Sequence, residues 1–166
     1  EIKLQRPANG ADLVGLSPGV RIQKSQGGGG SPVIRGFEAN RLLLVVDGVR
    51  MNNAIYRKGH LQSSISVAPN MLDKTEVVFG PSSVLYGSDA LGGVIHYYTK
   101  TPKLSAEEEV KSQFFSRFSS VNQEITSHVS AELRFSNWAS LTSISFSNFG
   151  DLQSGSRRSH GFKDWG

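Results

Sequence analysis

The 166-residue chain has no cysteine. That excludes disulfide staples, thiolate nucleophiles and cysteine-built zinc sites together, while leaving the cellular compartment open. Long hydrophobic runs are missing too. The longest, Leu42-Leu43-Leu44-Val45-Val46, has five residues, against the about 20 that a membrane-spanning helix needs. Five apolar residues make a buried strand, so any part of this chain that crosses a bilayer must do so in a β-barrel. Glu1 opens the chain with neither a basic stretch nor an apolar signal segment behind it, which reads as a mature or trimmed sequence.

Signatures of catalysis are equally scarce. Gly15-Leu16-Ser17-Pro18-Gly19 fits the G-x-S-x-G pattern, but a nucleophile elbow needs a strand before the serine and a helix after it. Here the order is reversed and Pro18 follows directly. The run Gly27 to Gly30 lacks the Gly-Lys-Ser/Thr ending of a phosphate-binding loop, and Pro32 blocks a long helix behind it. No dinucleotide fingerprint is present. His60, His96, His128 and His160 lie more than thirty residues apart, so they form no local metal cluster. Neither a recognition helix nor a basic stripe interleaved with aromatics speaks for nucleic acid. The chain reads as a non-enzyme with no resident cofactor or metal and no nucleic-acid partner.

What is present suits a packed core: 37% hydrophobic and 19% charged residues, within the range of one domain or one domain plus part of another. Net charge is +4 and unevenly spread. Residues 1–100 hold eleven Lys or Arg against seven Asp or Glu, whereas residues 101–166 hold seven of each. The basic excess suits a solvated surface or the attraction of an anionic ligand.

The two parts also differ in patterning. Asn9 is placed to cap a short helix over 10–16, with Asp12 in its first turn. Ser17-Pro18-Gly19 stops that helix, and 20–24 alternates as a strand. Residues 42–46 form a buried strand, Asp47-Gly48 a two-residue turn, and 49–52 its returning partner. Two more strands are expected over 75–79 and 94–99, with a glycine-punctuated helical or irregular segment between them. Residues 1–102 thus read as a small mixed α+β unit with short helices and long loops. After Thr101-Pro102 the composition shifts: fifteen of the next residues are serine, and nine of the chain's fifteen aromatics fall here. From 125 to 136 the odd positions carry Ile125, Val129, Ala131, Leu133 and Phe135, with Ser127 the exception. The even positions carry Thr126, His128, Ser130, Glu132, Arg134 and Ser136. A tight turn at Ser136-Asn137 leads to a weaker alternation over 138–149, and 111–119 resembles an earlier strand. On pattern alone this is an amphipathic hairpin of a soluble sheet, but one with an apolar edge that needs a cover from outside 1–166.

Three strings change that reading. They are Ile34-Arg35-Gly36-Phe37, then Asn40-Arg41 followed by Val45-Val46-Asp47-Gly48-Val49, and above all the stretch from Glu76-Val77-Val78-Phe79-Gly80-Pro81 through Leu85-Tyr86-Gly87-Ser88-Asp89-Ala90 to Gly92-Gly93-Val94-Ile95. In this order they resemble the plug domain of TonB-dependent outer-membrane receptors, over residues 9–100. Ala11-Asp12-Leu13 with Pro18-Gly19-Val20 is similar to the early plug helix and turn, and the wording of Asn52 to Arg57 resembles receptors of the Bacteroidetes type.

The resemblance implies a plug over 1–102, followed over 103–166 by about three first strands of a transmembrane β-barrel and an extracellular loop starting near Gly150. Residues 103–109 become the periplasmic crossing. The odd face of 125–135 then meets lipid, and Glu132 and Arg134 face the lumen. Gly27 to Gly30 becomes a native flexible loop. The implied task is energised import of a scarce, large ligand such as an iron-siderophore, haem or cobalamin. The partners are TonB, reached through a segment N-terminal to this chain, together with the receptor's own barrel and outer-membrane lipid. Glu1 to Gln5 does not resemble the TonB-contacting box. A receptor that only passes a surface signal inward, and a soluble domain binding a phosphate ligand, are the alternatives. In the family, plug arginines pair with barrel-wall glutamates. Arg35 matches the first such position, whereas Phe79 occupies the second, immediately before Gly80-Pro81. The lock candidates of this chain are Arg35 and Glu76. Ligand-facing candidates are Tyr56, Arg57, Lys58 and His60: two cations for an anionic chelate, an aromatic face, and an imidazole able to bind haem iron.

Overall fold

The computed structural model describes residues 7, 9–24, 30–37, 41–51, 67–80, 85–87, 90–120 and 123–150. The chain divides into two compact units, residues 1–101 and 102–166.

The first unit opens with helix α1 (Gly10–Val14), capped as expected by the Asn9 side chain, whose Oδ1 accepts from the Asp12 amide at 2.9 Å. The helix is shorter than its sequence pattern suggests. Leu16 and Ser17 donate to the carbonyls of Leu13 and Val14, three residues back, so the last turn tightens ahead of Pro18. Strand β1 (Val20–Gln23) then pairs antiparallel with β2 (Ser31–Ile34), in the register Val20↔Ile34 and Gln23↔Ser31. β2 is not expected from the sequence, because Pro32 and the glycine run argue against a strand. It is tolerated because this sheet has only two strands, so a residue without an N–H interrupts no further ladder. Gly27 to Gly29 lie outside the described residues. Gly30 is required for a different reason: a Cβ there would sit 2.7 Å from Ile22 Cγ2 and 3.1 Å from Ala11 Cβ. The last glycine of the run lets α1 and the hairpin close on each other.

A four-stranded mixed sheet follows, in the order β4-β3-β6-β5. Its strands are β3 (Leu42–Val46), β4 (Val49–Arg50), β5 (Leu72–Val78) and β6 (Gly93–Thr99). β3 and β6 run parallel, from Leu42↔Gly93 to Val46↔Tyr97; β4 and β5 are antiparallel to their neighbours. The unbroken apolar run of β3 reflects burial on both faces. On one face Leu42, Leu44, Ile95 and Tyr97 join Leu13, Val14, Ile34, Val67 and Leu72; on the other, Leu43, Val45, Val94 and Ala90 pack together. Each Val, Leu or Ile among them is worth about 1.5–3 kcal/mol relative to exposure, so these two clusters hold the unit together. Tyr97 is fully buried, and its hydroxyl donates to the Gly10 carbonyl at 2.8 Å, tying α1 to β6. β4 is shorter than the 49–52 expected, and β5 starts earlier, at Leu72 rather than Thr75.

The second unit is a three-stranded antiparallel meander of β7 (Glu109–Ser119), β8 (Glu124–Arg134) and β9 (Ala139–Asn148). The pairings are unbroken from Glu109↔Arg134 to Ser119↔Glu124, and from Ile125↔Asn148 to Arg134↔Ala139. The turn at Ser136-Asn137 is closed by the Phe135 amide donating to the Trp138 carbonyl at 2.9 Å, and the two rings stack at 4.6 Å. Only Gly150 of the loop expected over 150–166 is described. Among the described residues, no helix is long and apolar enough to cross a membrane.

Candidate functional site

Arg35 and Gly36 form a two-residue turn. Ile34 and Phe37 exchange backbone hydrogen bonds of 2.9 and 2.8 Å across it, and φ is +49° at Arg35 and +84° at Gly36. Positive φ at both central residues matches the right-handed twist of the flanking strands. Asp47-Gly48 repeats the device, with φ of +47° and +83°. The second turn is legible as Asp-Gly; the first is a turn as well as an exposed arginine. The Arg35 guanidinium lies 5.2 Å from the centre of the Phe79 ring, a cation–π contact. The two positions compared in the resemblance are therefore in contact.

Glu76 has different partners. It accepts from the Tyr98 hydroxyl at 2.9 Å and pairs with Lys74. Lys74 foremost, then Tyr98, hold its carboxyl below the ordinary glutamate range, and Glu76 in turn raises the Lys74 ammonium and the Tyr98 phenol. Glu76 is in register with His96, whereas Phe79 packs with the apolar cluster of the opposite sheet face. The sheet thus separates Arg35 and Glu76 into two local arrangements.

His96 is a site residue that sequence reasoning missed. It stacks on Tyr98 with centroids 4.0 Å apart and meets Tyr86 edge-on at 6.2 Å. Its Nε2 accepts from the Gly48 amide at 3.3 Å, which puts the proton of the neutral ring on Nδ1, buried with no partner among the described residues. Across the sheet Arg50, in register with Val45, donates to the Tyr86 carbonyl. Beside this group Asp47 clamps the end of β6: the Thr99 amide donates to Oδ1 at 2.9 Å and the Thr99 hydroxyl to Oδ2 at 2.6 Å. Those two bonds pull the Asp47 carboxyl below its usual value. No sequence signal marks His96, because it sits inside an otherwise apolar strand.

The second unit has two sharply different faces. On one, Phe114, Val129 and Ile144 lie side by side at 73%, 52% and 72% exposure, flanked by Val110, Phe118, Ile125 and Phe146. Ser127, the hydroxyl exception on this face, lies 3.5 Å from Ser116 Oγ across the strands. On the other face the central strand buries polar side chains at Glu124, Thr126, His128 and Ser130, whereas Lys111, Gln113, Ser145 and Ser147 of the outer strands are exposed. Arg117 pairs with Glu124, which also accepts from Thr126; Thr126 meets Ser147 at 3.1 Å; and His128 Nδ1 lies 2.7 Å from Ser145 Oγ. Near the start of β7 and the end of β8, Arg134 reaches Glu132 at 2.7 Å and Glu109 at 3.3 Å, and Lys111 reaches Glu109 at 2.8 Å. A water-soluble sheet would show the opposite, apolar side in and polar side out. Among the described residues, no group of His, Asp or Glu could hold a metal ion. Tyr56, Arg57, Lys58 and His60 lie outside the described residues.

Residues 1–94 match the family described as TonB-dependent Receptor Plug Domain. The chain belongs to this family. The chain is 39% identical over 103 residues to a vitamin B12 transporter of Vibrio vulnificus, covering 61% of this chain and 16% of that protein. It is 40% identical over 96 residues to a hemin receptor of Yersinia pestis, covering 57% of this chain and 14% of that one. The chain therefore spans about one-sixth of the length of these relatives. Among solved structures, the ferric enterobactin receptor of Pseudomonas aeruginosa superposes with a TM-score of 0.67 over 89% of this chain and 23% of its own length, at 21% identity. The copper transporter OprC gives 0.67 over 78% of this chain and 20% of its own, at 24% identity. These likenesses concern the fold: a plug with a mixed sheet and few helices, followed by antiparallel strands.

Proposed function

We propose that this chain is the plug and the first barrel strands of an outer-membrane importer. In this reading a scarce, large ligand binds from outside and the TonB complex supplies energy that moves the plug. One observation carries the reading: a family plug continues into three strands of 11, 11 and 10 residues that expose an apolar face, while the central strand buries its polar side chains Glu124, Thr126, His128 and Ser130 on the other. Strands of about 9–11 residues, tilted, span a bilayer. Residues 103–166 are then the start of the barrel, with 103–109 crossing on the periplasmic side, its last residue opening β7, and the loop from Gly150 outside. Phe114, Val129 and Ile144 face lipid.

The names of the two curated relatives support cobalamin or haem as the ligand class; the iron-siderophore class rests on the resemblance alone. Arg35 and Glu76 are the proposed lock to the barrel wall. Holding a long cationic side chain at positive φ costs about 1–3 kcal/mol, which favours a role for Arg35 beyond filling a turn. Tyr56, Arg57, Lys58 and His60 are the proposed ligand-facing residues. TonB is reached through a segment N-terminal to the plug. A Bacteroidetes-type lineage rests on 52–57 only, beside relatives from Vibrio and Yersinia.

The test is uptake by the full-length receptor in an outer membrane lacking its own high-affinity importers, offered cyanocobalamin, haemin and a ferric siderophore in turn. Saturable uptake of one probe, lost when TonB is deleted, is expected. Uptake that ignores TonB, or no uptake of any probe, refutes the proposal.

A further inference from the structure

One imidazole closes a circuit of contacts within the first unit. His96 Nε2 accepts from the Gly48 amide at 3.3 Å, and the Asp47 amide donates to the Tyr97 carbonyl at 3.0 Å, so the β3–β4 turn rests on β6 through two adjacent amides. β4 adds little of its own: its ladder is Val45↔Arg50 and Val46↔Val49, followed by the Met51 amide donating to the Leu44 carbonyl at 2.8 Å. Two residues after Gly48, Arg50 donates to the Tyr86 carbonyl, and the Tyr86 ring returns edge-on to His96. The imidazole is buried and stacked on Tyr98, whereas Gly48 is exposed. The charged groups around the ring are Asp47 in the turn, held by Thr99; Arg50 on β4; and, on β5, Glu76 in register with His96, joined to Lys74 and Tyr98. Tyr98 and Tyr86 are its phenol neighbours.

We propose that His96 is an acid-sensitive latch: neutral, it holds the Asp47-Gly48 turn on β6 through Nε2, and protonated, it lets the turn go. The chemistry is that of the ring. With its proton on Nδ1, a neutral imidazole offers Nε2 as an acceptor; a second proton makes Nε2 a donor aimed at another donor, the Gly48 N–H. The nearby carboxylates of Asp47 and Glu76 favour the charged ring, so the proton can be taken up without unfolding the sheet. The contribution of the Gly48 bond is therefore complete while the ring is neutral and is lost as pH falls. Gly48, being exposed, then turns to water. Because Arg50 follows on the same short strand, a freed turn also loosens the hold on Tyr86. The latch does not depend on the importer reading.

Nuclear magnetic resonance of the full-length receptor between about pH 8 and about pH 5, the range in which imidazoles titrate, tests this. Thr99 holds the Asp47 carboxyl, and Lys74 foremost the Glu76 carboxyl, below the ordinary carboxylate range, so neither changes charge in that window. The ring nitrogens of His96 are expected to pass from the Nδ1–H tautomer to the doubly protonated form. In step with them the Gly48 amide, with the pH dependence of free-amide exchange divided out, should exchange about tenfold faster, the loss expected for one hydrogen bond. The amides of Leu44 and Ile95 should stay within about twofold, since the sheet itself does not open. His96→Gln keeps a side-chain acceptor that does not titrate and should remove the pH dependence at Gly48. His96→Phe keeps an aromatic ring without an acceptor and should leave Gly48 fast throughout. Where these variants fail to fold, the ring nitrogens and the Gly48 amide of the unaltered receptor still decide. Gly48 exchange that ignores pH, a neutral His96 carrying its proton on Nε2, or a pH dependence that persists in His96→Gln would each overturn the proposal.

Discussion

Arginine placed at Val129 and at Val110 separates a lipid-facing wall from a water-facing sheet. Val129 is the midpoint of β8, five residues from either end, between Phe114 and Ile144. Val110 lies on the same face and pairs with Leu133, four residues further along β8. At about 3.4 Å per residue and a tilt of about 40°, those four residues correspond to about 10 Å of depth, most of the half-height of an apolar band of about 25 Å. Arginine at the midplane of a transmembrane barrel costs about 2–4 kcal/mol, and near the interface about 0–1. Val129→Arg should therefore lower the folding equilibrium constant by about 30- to 1000-fold, and Val110→Arg by less than about fivefold. Val129→Thr controls for lost cross-strand packing, which is worth only about 0.2–1 kcal/mol per pair. Denaturant titration of the full-length receptor folded into lipid vesicles measures all three. On a sheet facing water, both arginines would fall within about 0.5 kcal/mol of the parent, as exposed substitutions do. Equal, near-neutral effects at 129 and 110 would refute the lipid-facing assignment.

Tyr97→Phe removes one buried hydrogen bond, to Gly10, and should cost about 0.5–1.5 kcal/mol, with faster hydrogen exchange confined to α1 and its cap; an unchanged α1 would refute the tie. The Asp47 carboxyl is depressed by its bonds from Thr99. Its contribution is therefore complete above the unfolded aspartate value of about 4 and is lost as pH falls through the lower folded value. Acidification below about pH 4 should loosen the Thr99 clamp, seen in the chemical shift of the Thr99 hydroxyl or amide, and Asp47→Asn should abolish that titration. Gly93→Ala places a methyl 2.9 Å from the Val78 carbonyl at a φ of +148°, so a loss well above about 1 kcal/mol is expected in a denaturant titration.

Signals contained within a few residues were legible in the sequence. The run 42–46 could only be a strand buried on both sides, and Asp47-Gly48 carries its own turn chemistry. Asn9 before Asp12 names its own cap. What escaped was set at long range. β3 and β6 pair in parallel across about fifty intervening residues, and nothing local to either strand announces its neighbour. β2 was hidden because Pro32 counts against a strand except at a sheet edge, and in a two-stranded sheet both strands are edges. Arg35 was visible only through family likeness, although an exposed residue before glycine between two apolar stretches is also a turn signal. His96 left no trace, since a single polar residue in an apolar strand gains its meaning from Gly48, Tyr86 and Tyr98, all brought to it by the fold.

The alternation from 125 to 135 shows why a pattern can be read correctly and still leave its meaning undecided. Period two fixes which side chains share a face, and the register bears that out from Phe118↔Ile125 to Val110↔Leu133. It does not fix which face is wet, because the two solvents, water and lipid, simply exchange sides. Burial favours lipid on the apolar side. Thr126, His128 and Ser130 are enclosed while Ile125 and Val129 are open. In water that arrangement would leave Phe114, Val129 and Ile144 as one contiguous apolar surface while spending buried positions on hydroxyls and an imidazole, a loss on both faces. With lipid outside, the same residues gain on both: the apolar row meets hydrocarbon, and the polar row finds partners in Ser145, Ser147 and Arg117.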